Sequence, residues 1–335
     1  MANQKAIEIF YFLKNNPQEI QKELIKIFKN KNLLIKEIKL LKDKLIINEQ
    51  YKITALLTLE KNLPDKIILE IHDNEDYFDR NLFALKELKK IKKFKIAVLY
   101  GFLAKLKIII REYIKGDFFV DILSKKNLNF NQTKKIIEKF SQWLADLHNL
   151  KIKKSNKFLF KKLNQKIEEI ILNRTIEFIK PNIESLTPLI KRNLRVLIKK
   201  TETIEKKNKA CLIHGDFQPA NFIKKNNSFY LTDFDTMEIG NPLRDLGRFL
   251  FQLDYFLKEN GIFSSRQINE LENLFIINYF NQRPTFDKNG YQLDLDIYKA
   301  QMIQYVILGK IWGERVPVAK KIKQFLSKQS KLLNL

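Results

Sequence analysis

The sequence predicts an α+β chain of two lobes, a small antiparallel sheet carrying one helix and then a larger, mostly helical region. Three observations carry this expectation. Strand-like runs are concentrated before Gly116, helical apolar spacing dominates after it, and one short strand-bearing segment, Ala210–Asp235, interrupts the helices. The 335 residues suffice for two lobes with a cleft between them, and 45% hydrophobic with 30% charged residues allows a sizeable core.

Taken in order, residues 3–30 place Ile7, Phe10 and Tyr11, then Ile20, Leu24, Ile27 and Phe28, at helical spacing, broken near Pro17. Two short amphipathic helices are expected. Strand-like runs follow at Leu33–Leu41, Lys44–Ile47, Tyr51–Leu59 and Lys66–Ile71, the last two separated by a turn at Asn62–Asp65. A helix over about Asp76–Ile91 aligns Leu82, Leu85 and Leu88, and two strands near Ala97–Phe102 and Leu106–Tyr113 lead to Gly116. Beyond it, Cys211–Ile213 and Phe229–Thr232 read as short buried strands flanking a loop, and the Lys-rich segment 151–208 keeps enough apolar periodicity to be helix rather than linker. The expected organisation is an N-terminal helical segment (1–31), a small lobe (32–111), a connection (112–116) and a helical lobe (117–335).

Composition narrows the function classes. No run of eighteen apolar residues exists, Glu8 interrupts the one apolar stretch near the N-terminus, and the single cysteine, Cys211, offers no internal disulfide or zinc site. A soluble cytoplasmic protein is expected. The net charge of +24 invites a nucleic-acid partner, because lysines that neutralise phosphates release counterions. The lysines, however, spread over Lys86–Lys107, Lys151–Lys166, Lys191–Lys209 and Lys320–Lys331 with no nucleic-acid-binding motif. Abundant Lys, Asn, Ile and Phe beside only nine Gly and eight Pro fit an AT-rich coding bias, so a solvated basic surface is expected instead.

The strongest local signal is His214-Gly215-Asp216-Phe217-Gln218-Pro219-Ala220-Asn221, followed by Asp233-Phe234-Asp235. Phosphoryl transfer from a nucleotide needs a carboxylate to take the acceptor's proton, and oxygen ligands to hold the magnesium that offsets phosphate charge. A loop between short strands can bring Asp216, Asn221 and Asp233 into one cleft. Asp and Asn also cap turns, but here one of three histidines and one of nine glycines directly precede the Asp.

These residues resemble the aminoglycoside phosphotransferase and choline kinase-like family, whose loop reads His-Gly-Asp, then Asn, then an acidic segment after the next strand. The resemblance implies a bilobal protein-kinase-like fold and a magnesium-dependent enzyme that moves the γ-phosphoryl group of ATP or GTP to a hydroxyl of a small molecule. It makes Asp216 the catalytic base and Asn221 and Asp233 magnesium ligands, with His214, Asp235 and Asp245 supporting the site. Trp143–His148 is similar to the family's Leu-Ala-x-Leu-His helix, Gly240–Leu246 to its Gly-Asp-Pro-x-x-Asp-Leu segment, and Arg111–Gly116 to the inter-lobe connection. There, backbone groups of about Glu112 and Ile114 are expected to meet the nucleotide base.

The small lobe departs from the pattern. Glu70 stands where the family's third-strand lysine is expected, Asn81 stands at its acidic helix partner, and no glycine precedes Gly101. The compensating arrangement expected here has Arg80 neutralising Glu70 while Lys52, from the preceding strand, reaches the phosphates. The alternative is a pseudokinase whose small lobe has lost the nucleotide. For the acceptor, Asp254 and Glu259 are either contacts for a cationic molecule or solvated helix residues.

Overall fold

Pro17 lacks an N–H, so it cannot continue a helix but can begin one. In the computed structural model it separates α1 (Lys5–Asn15) from α2 (Pro17–Phe28), and α2 ends on Lys29, in the left-handed region at φ 51°. The structure describes residues 5–46, 50–60, 64–91, 95–124, 129–153, 155–160, 186–207, 210–283, 291–313 and 319–334.

Five antiparallel strands follow, β1 (Leu34–Ile46), β2 (Gln50–Glu60), β3 (Lys66–His72), β4 (Leu99–Leu103) and β5 (Ile108–Glu112), in the order β1-β2-β3-β5-β4. The runs read as Leu33–Leu41 and Lys44–Ile47 fall on the one strand Leu34–Ile46, and residue 47 lies outside the described residues. Register shifts between Ile35 and Glu37 and between Leu40 and Lys42 absorb the break in alternation that divides them in the sequence. Residues 62 and 63 of the expected turn lie outside the described residues. Phe10, Leu13, Ile20 and Leu24 of the two helices share one buried core with Ile53, Leu57, Ile67 and Leu69 of the sheet.

Between β3 and β4 runs α3 (Glu75–Glu87), opened by the Asn74 side chain, which accepts from the Asp76 and Tyr77 N–H groups at 2.7 and 3.3 Å. It gives way to a 3₁₀ turn at Leu88–Lys90, so the α-helix stops short of the expected Ile91. The hairpin β7 (Phe222–Lys225) and β8 (Ser228–Leu231) joins this part of the molecule, and the Leu231 N–H donates to the Lys95 carbonyl at 3.0 Å. The first compact unit is thus Met1–Asp117 with Phe222–Thr236.

The second unit, Phe118–Asn221 with Met237–Leu335, is helical around a two-stranded ribbon. Its helices are α4 (Phe119–Ser124), α5 (Phe130–His148), α6 (Lys157–Phe160), α7 (Thr187–Lys207), α8 (Leu243–Glu259), α9 (Ser265–Asn281), α10 (Tyr291–Gly313) and α11 (Ala319–Leu332). The ribbon pairs β6 (Cys211–Ile213) with β9 (Glu238–Gly240). Residues 161–185 of the segment expected to be helical lie outside the described residues, and its flanks carry α6 and α7. Phe140, Phe217, Phe249 and Phe275 form the aromatic centre of this unit, with Phe249 stacked on Phe275 at 4.5 Å. No helix among the described residues is long and apolar enough to cross a membrane.

Candidate active site

The loop after β6 is held from below by one buried carboxylate. Asp245, in the first turn of α8, accepts from the backbone N–H of His214 at 2.7 Å and of Gly215 at 2.8 Å, one on each oxygen. Gly215 has φ 78°, a conformation that costs a side-chain-free residue little. The Asp216 N–H donates to His214 Nδ1 at 3.2 Å, which leaves that ring nitrogen without its proton. His148, at the end of α5, places Nε2 3.1 Å from Asp245 and Nδ1 2.8 Å from the Tyr279 hydroxyl. Burial pushes the Asp245 carboxyl up, but the hydrogen bond from His148, with the neighbouring imidazoles and Arg244, outweighs it and holds Asp245 below its usual range. Burial also dominates at His148 and holds that imidazole below its ordinary value.

Above this brace, Asp216 and Asn221 face one another. Asn221 Nδ2 donates to the Asp216 carbonyl at 2.7 Å and to its Oδ2 at 3.0 Å, which turns the amide oxygen to the opposite side. Gln218 Nε2 spans both Asp216 oxygens at 2.9 and 3.0 Å, and Arg248 Nη1 pairs with Oδ1. The short 3₁₀ turn Pro219–Asn221 lets residues five apart meet in this way.

The other expected residues gather in the first unit. Lys52, on β2, is 5% exposed and reaches Asp235 at 2.9 Å, Asp233 at 3.2 Å and Glu70 at 3.7 Å. The guanidinium that meets Glu70 is that of Arg111, 2.7 Å away, rather than the expected Arg80. Register explains this. Glu70 pairs with Thr54 on one side and Ile109 on the other, so Lys52 and Arg111, each two residues along its strand, are its diagonal same-face neighbours. Arg80 is instead fully buried on α3. Burial pushes Glu70 up, but Arg111 and then Lys52 prevail and bring it down to about 2. Burial works against the charge of Lys52, yet Asp235, Glu70 and Asp233 together hold its ammonium above the usual lysine range.

The two aspartates after β8 differ in setting. Asp235 has 3% of its side chain exposed and is engaged by Lys52 and by the Asn81 amide. Asp233 keeps 21% exposed and adopts φ 66°, uncommon for a residue with a side chain. It lines a small cavity with Glu70, Asn81, Ala97, Arg111 and Thr232. Further along the sheet, the Glu112 N–H donates to the Val98 carbonyl at 2.9 Å and its carboxylate meets Lys225 at 2.8 Å, while Ile114 is buried.

Sequence reasoning missed Arg248, Gln218 and Arg111. Arg111 needed the strand register, and Gln218 stood inside the 214–221 segment without a role assigned to it. Arg248 could have been found from its place one helical turn after Asp245, on the face of α8 that carries the brace.

Residues 106–272, which contain the whole 214–221 loop and Asp233, match the model of the phosphotransferase enzyme family. The chain belongs to this family. The phosphotransferase fold is also that of solved structures: APH(2'')-IIa with gentamicin shares 17% identity at a TM-score of 0.58, covering 94% of this chain and 95% of that one. Spectinomycin phosphotransferase APH(9)-Ia with ADP and spectinomycin gives 16% and 0.54, over 95% and 96% of the two chains. Choline kinase LicA from Streptococcus pneumoniae gives 16% and 0.52, over 94% and 98%. At such identities the likeness is one of fold, a protein-kinase-like one. No curated protein sequence matches the chain.

Proposed function

We propose that this phosphotransferase is a small-molecule kinase that moves the γ-phosphoryl group of ATP or GTP to an alcohol. The acceptor oxygen bonds to the γ-phosphorus as the bond from phosphorus to the bridging oxygen breaks; the hydroxyl proton passes to Asp216, and the nucleoside diphosphate leaves. The observation that carries this reading is the loop itself. Asp216 is fixed by Gln218, Asn221 and Arg248 on a backbone that Asp245 anchors. A proton acceptor must be positioned before it can be effective.

By the family resemblance Asn221 and Asp233, one from each unit, would hold a magnesium ion: Asn221 commits its amide nitrogen to Asp216, and Asp233 offers the more accessible of the two carboxylates after β8. Oxygen donors of this kind suit a hard cation, which supplies charge neutralisation to phosphate oxygens when bound. Lys52 anchors those oxygens in place of a third-strand lysine, and backbone at Glu112, through its carbonyl since the N–H is taken by Val98, and at Ile114 meets the base. Solved relatives described with ATP, ADP, GDP and AMP support a nucleotide as the donor.

Transfer from labelled ATP and GTP to a library of metabolite alcohols tests the reading. Asp216→Asn is expected to keep MgADP-dependent thermal stabilisation and to lower turnover about a hundredfold or more. Equal turnover by variant and wild type removes Asp216 from the chemistry.

A further inference from the structure

A cation stands where the acceptor hydroxyl must arrive. Arg248 Nη1 donates to the Gly215 carbonyl at 2.8 Å and pairs with Asp216 Oδ1, while its Nε meets the Met302 sulfur at 3.1 Å. Three contacts from two elements fix the guanidinium, 15% exposed, at the edge of the base. A hydroxyl close enough to give its proton to Asp216 therefore comes within reach of Arg248 as well. Five N–H donors in one planar fork can serve Asp216 and a second anion together.

Three described carboxylates of this unit are already paired, while Glu259, at the end of α8, is exposed. Asp254, on the same helix as Arg248, is paired with Lys258 at 2.5 Å and Lys328 at 3.2 Å. Glu272 is paired with Lys299 at 3.0 Å and Glu238 with Arg244 at 2.7 Å. An acceptor rich in ammonium groups would meet the like charge of Arg248 beside Asp216. An anionic acceptor would be repelled by Asp216 alone, and Arg248 sits on that carboxylate to offset the repulsion.

We propose that Arg248 makes the acceptor subsite anion-selective, so that the molecule phosphorylated carries a carboxylate or phosphate group close to its reactive hydroxyl. This rests on the kinase reading above and names its substrate class. The specificity comes from charge, so molecules of one carbon frame and different charge discriminate it best.

Two matched sets test it with the full chain and MgATP: glycerate, glycerol 3-phosphate, glycerol and serinol, and gluconate, glucose 6-phosphate, glucose and glucosamine. The carboxylate and phosphate members separate the two anion sources. Expected is turnover of at least one anionic member about tenfold or more above its neutral and cationic counterparts. Arg248→Met then raises KM for that acceptor about tenfold and erases the preference, and Arg248→Lys keeps the preference with a smaller loss. Circular dichroism checks that both variants are folded. If MgADP stabilises the wild type but only neutral or cationic members, or none, are turned over, the inference fails and the kinase reading stands. A fall in kcat with KM and preference unchanged makes Arg248 a support of Asp216 and also overturns it. A wild type that MgADP does not stabilise overturns the kinase reading and the inference with it.

Discussion

Lys52 is a buried cation on β2. A buried ammonium is costly unless paired, and three carboxylates surround this one. Two of them, Glu70 and Asp235, have almost no exposure; without Lys52 Glu70 keeps Arg111, but Asp235 loses its cation. Lys52→Met should destabilise the fold by about 3 kcal/mol or more, in the range for breaking a buried pair. Stability loss alone would also abolish binding, so a second variant is needed. Lys52→Met with Asp235→Asn removes one charge of each sign and should recover part of the thermal midpoint. It should not recover MgADP affinity measured by calorimetry. A double variant that binds MgADP like the wild type would show that Lys52 serves the fold alone.

His72 gives a pH dependence at the same scale. It pairs in register with Lys52, it is buried, and neither ring nitrogen has a hydrogen-bond partner among the described residues. Burial first, then Lys52, brings its pKa down to about 3. The unfolded chain takes up the proton near pH ~6.5 and the folded one resists it. The contribution is therefore whole above that value and is lost as pH falls towards about 3. At about pH 5 the loss is about 2 kcal/mol by linkage. His72→Phe should flatten that part of the stability profile, as followed by thermal unfolding from about pH 7 to about pH 5. An unchanged slope in the variant would assign the acid sensitivity elsewhere. What was legible at this scale was what is local in sequence: Asp216 and Asn221 lie five residues apart on one turn. Arg111 on Glu70 and Arg248 on Asp216 depend on strand register and helix phase, and no spacing along the chain encodes them alone.

At the scale of elements, α1, α2 and most of the sheet were legible because alternation and 3.6-residue spacing are strong over ten or more residues. The unexpected elements are short. β7 and β9, of four and three residues, fall below the length at which periodicity can be recognised. β1 was divided because a bulge puts two like residues out of step. Gly247 lies inside α8, where glycine is a poor helix former, and its place is explained by a close contact. A Cβ there would stand 2.6 Å from Tyr298 Cβ and 3.2 Å from the Tyr298 carbonyl carbon on α10. The obstacles are a Cβ and backbone, not a flexible side-chain end, so the helices must part for anything larger than hydrogen. Gly247→Ala gains up to about 1 kcal/mol of helix propensity but incurs overpacking of about 1–3 kcal/mol. We expect a net fall in the thermal midpoint. Because α8 also carries Asp245 and Arg248, turnover should fall more than stability does. A variant as stable and active as the wild type would mean that the two helices adjust without cost.

The whole molecule carries a net charge of +24, and its size makes a simple physical demand. Charges of one sign repel, and a compact state suffers this more than an extended one. The pairs that oppose the repulsion fall into two groups. Lys52 with its carboxylates and Arg244 with Glu238 are buried and little affected by salt. Lys22–Glu19, Lys26–Glu23 and Lys90–Glu87 are exposed pairs within one helical turn, each worth only a few tenths of a kcal/mol. Salt therefore weakens little that stabilises and screens much that destabilises. The Debye length shortens from about 20 Å to about 7 Å between roughly 20 and 200 mM salt, within the spacing of surface lysines. The thermal midpoint should rise over that range of sodium chloride. Scanning calorimetry at about pH 7.5 checks this. A midpoint that falls with salt would mean that surface ion pairs contribute more than net repulsion removes, and the basic surface would then need a purpose beyond solvation.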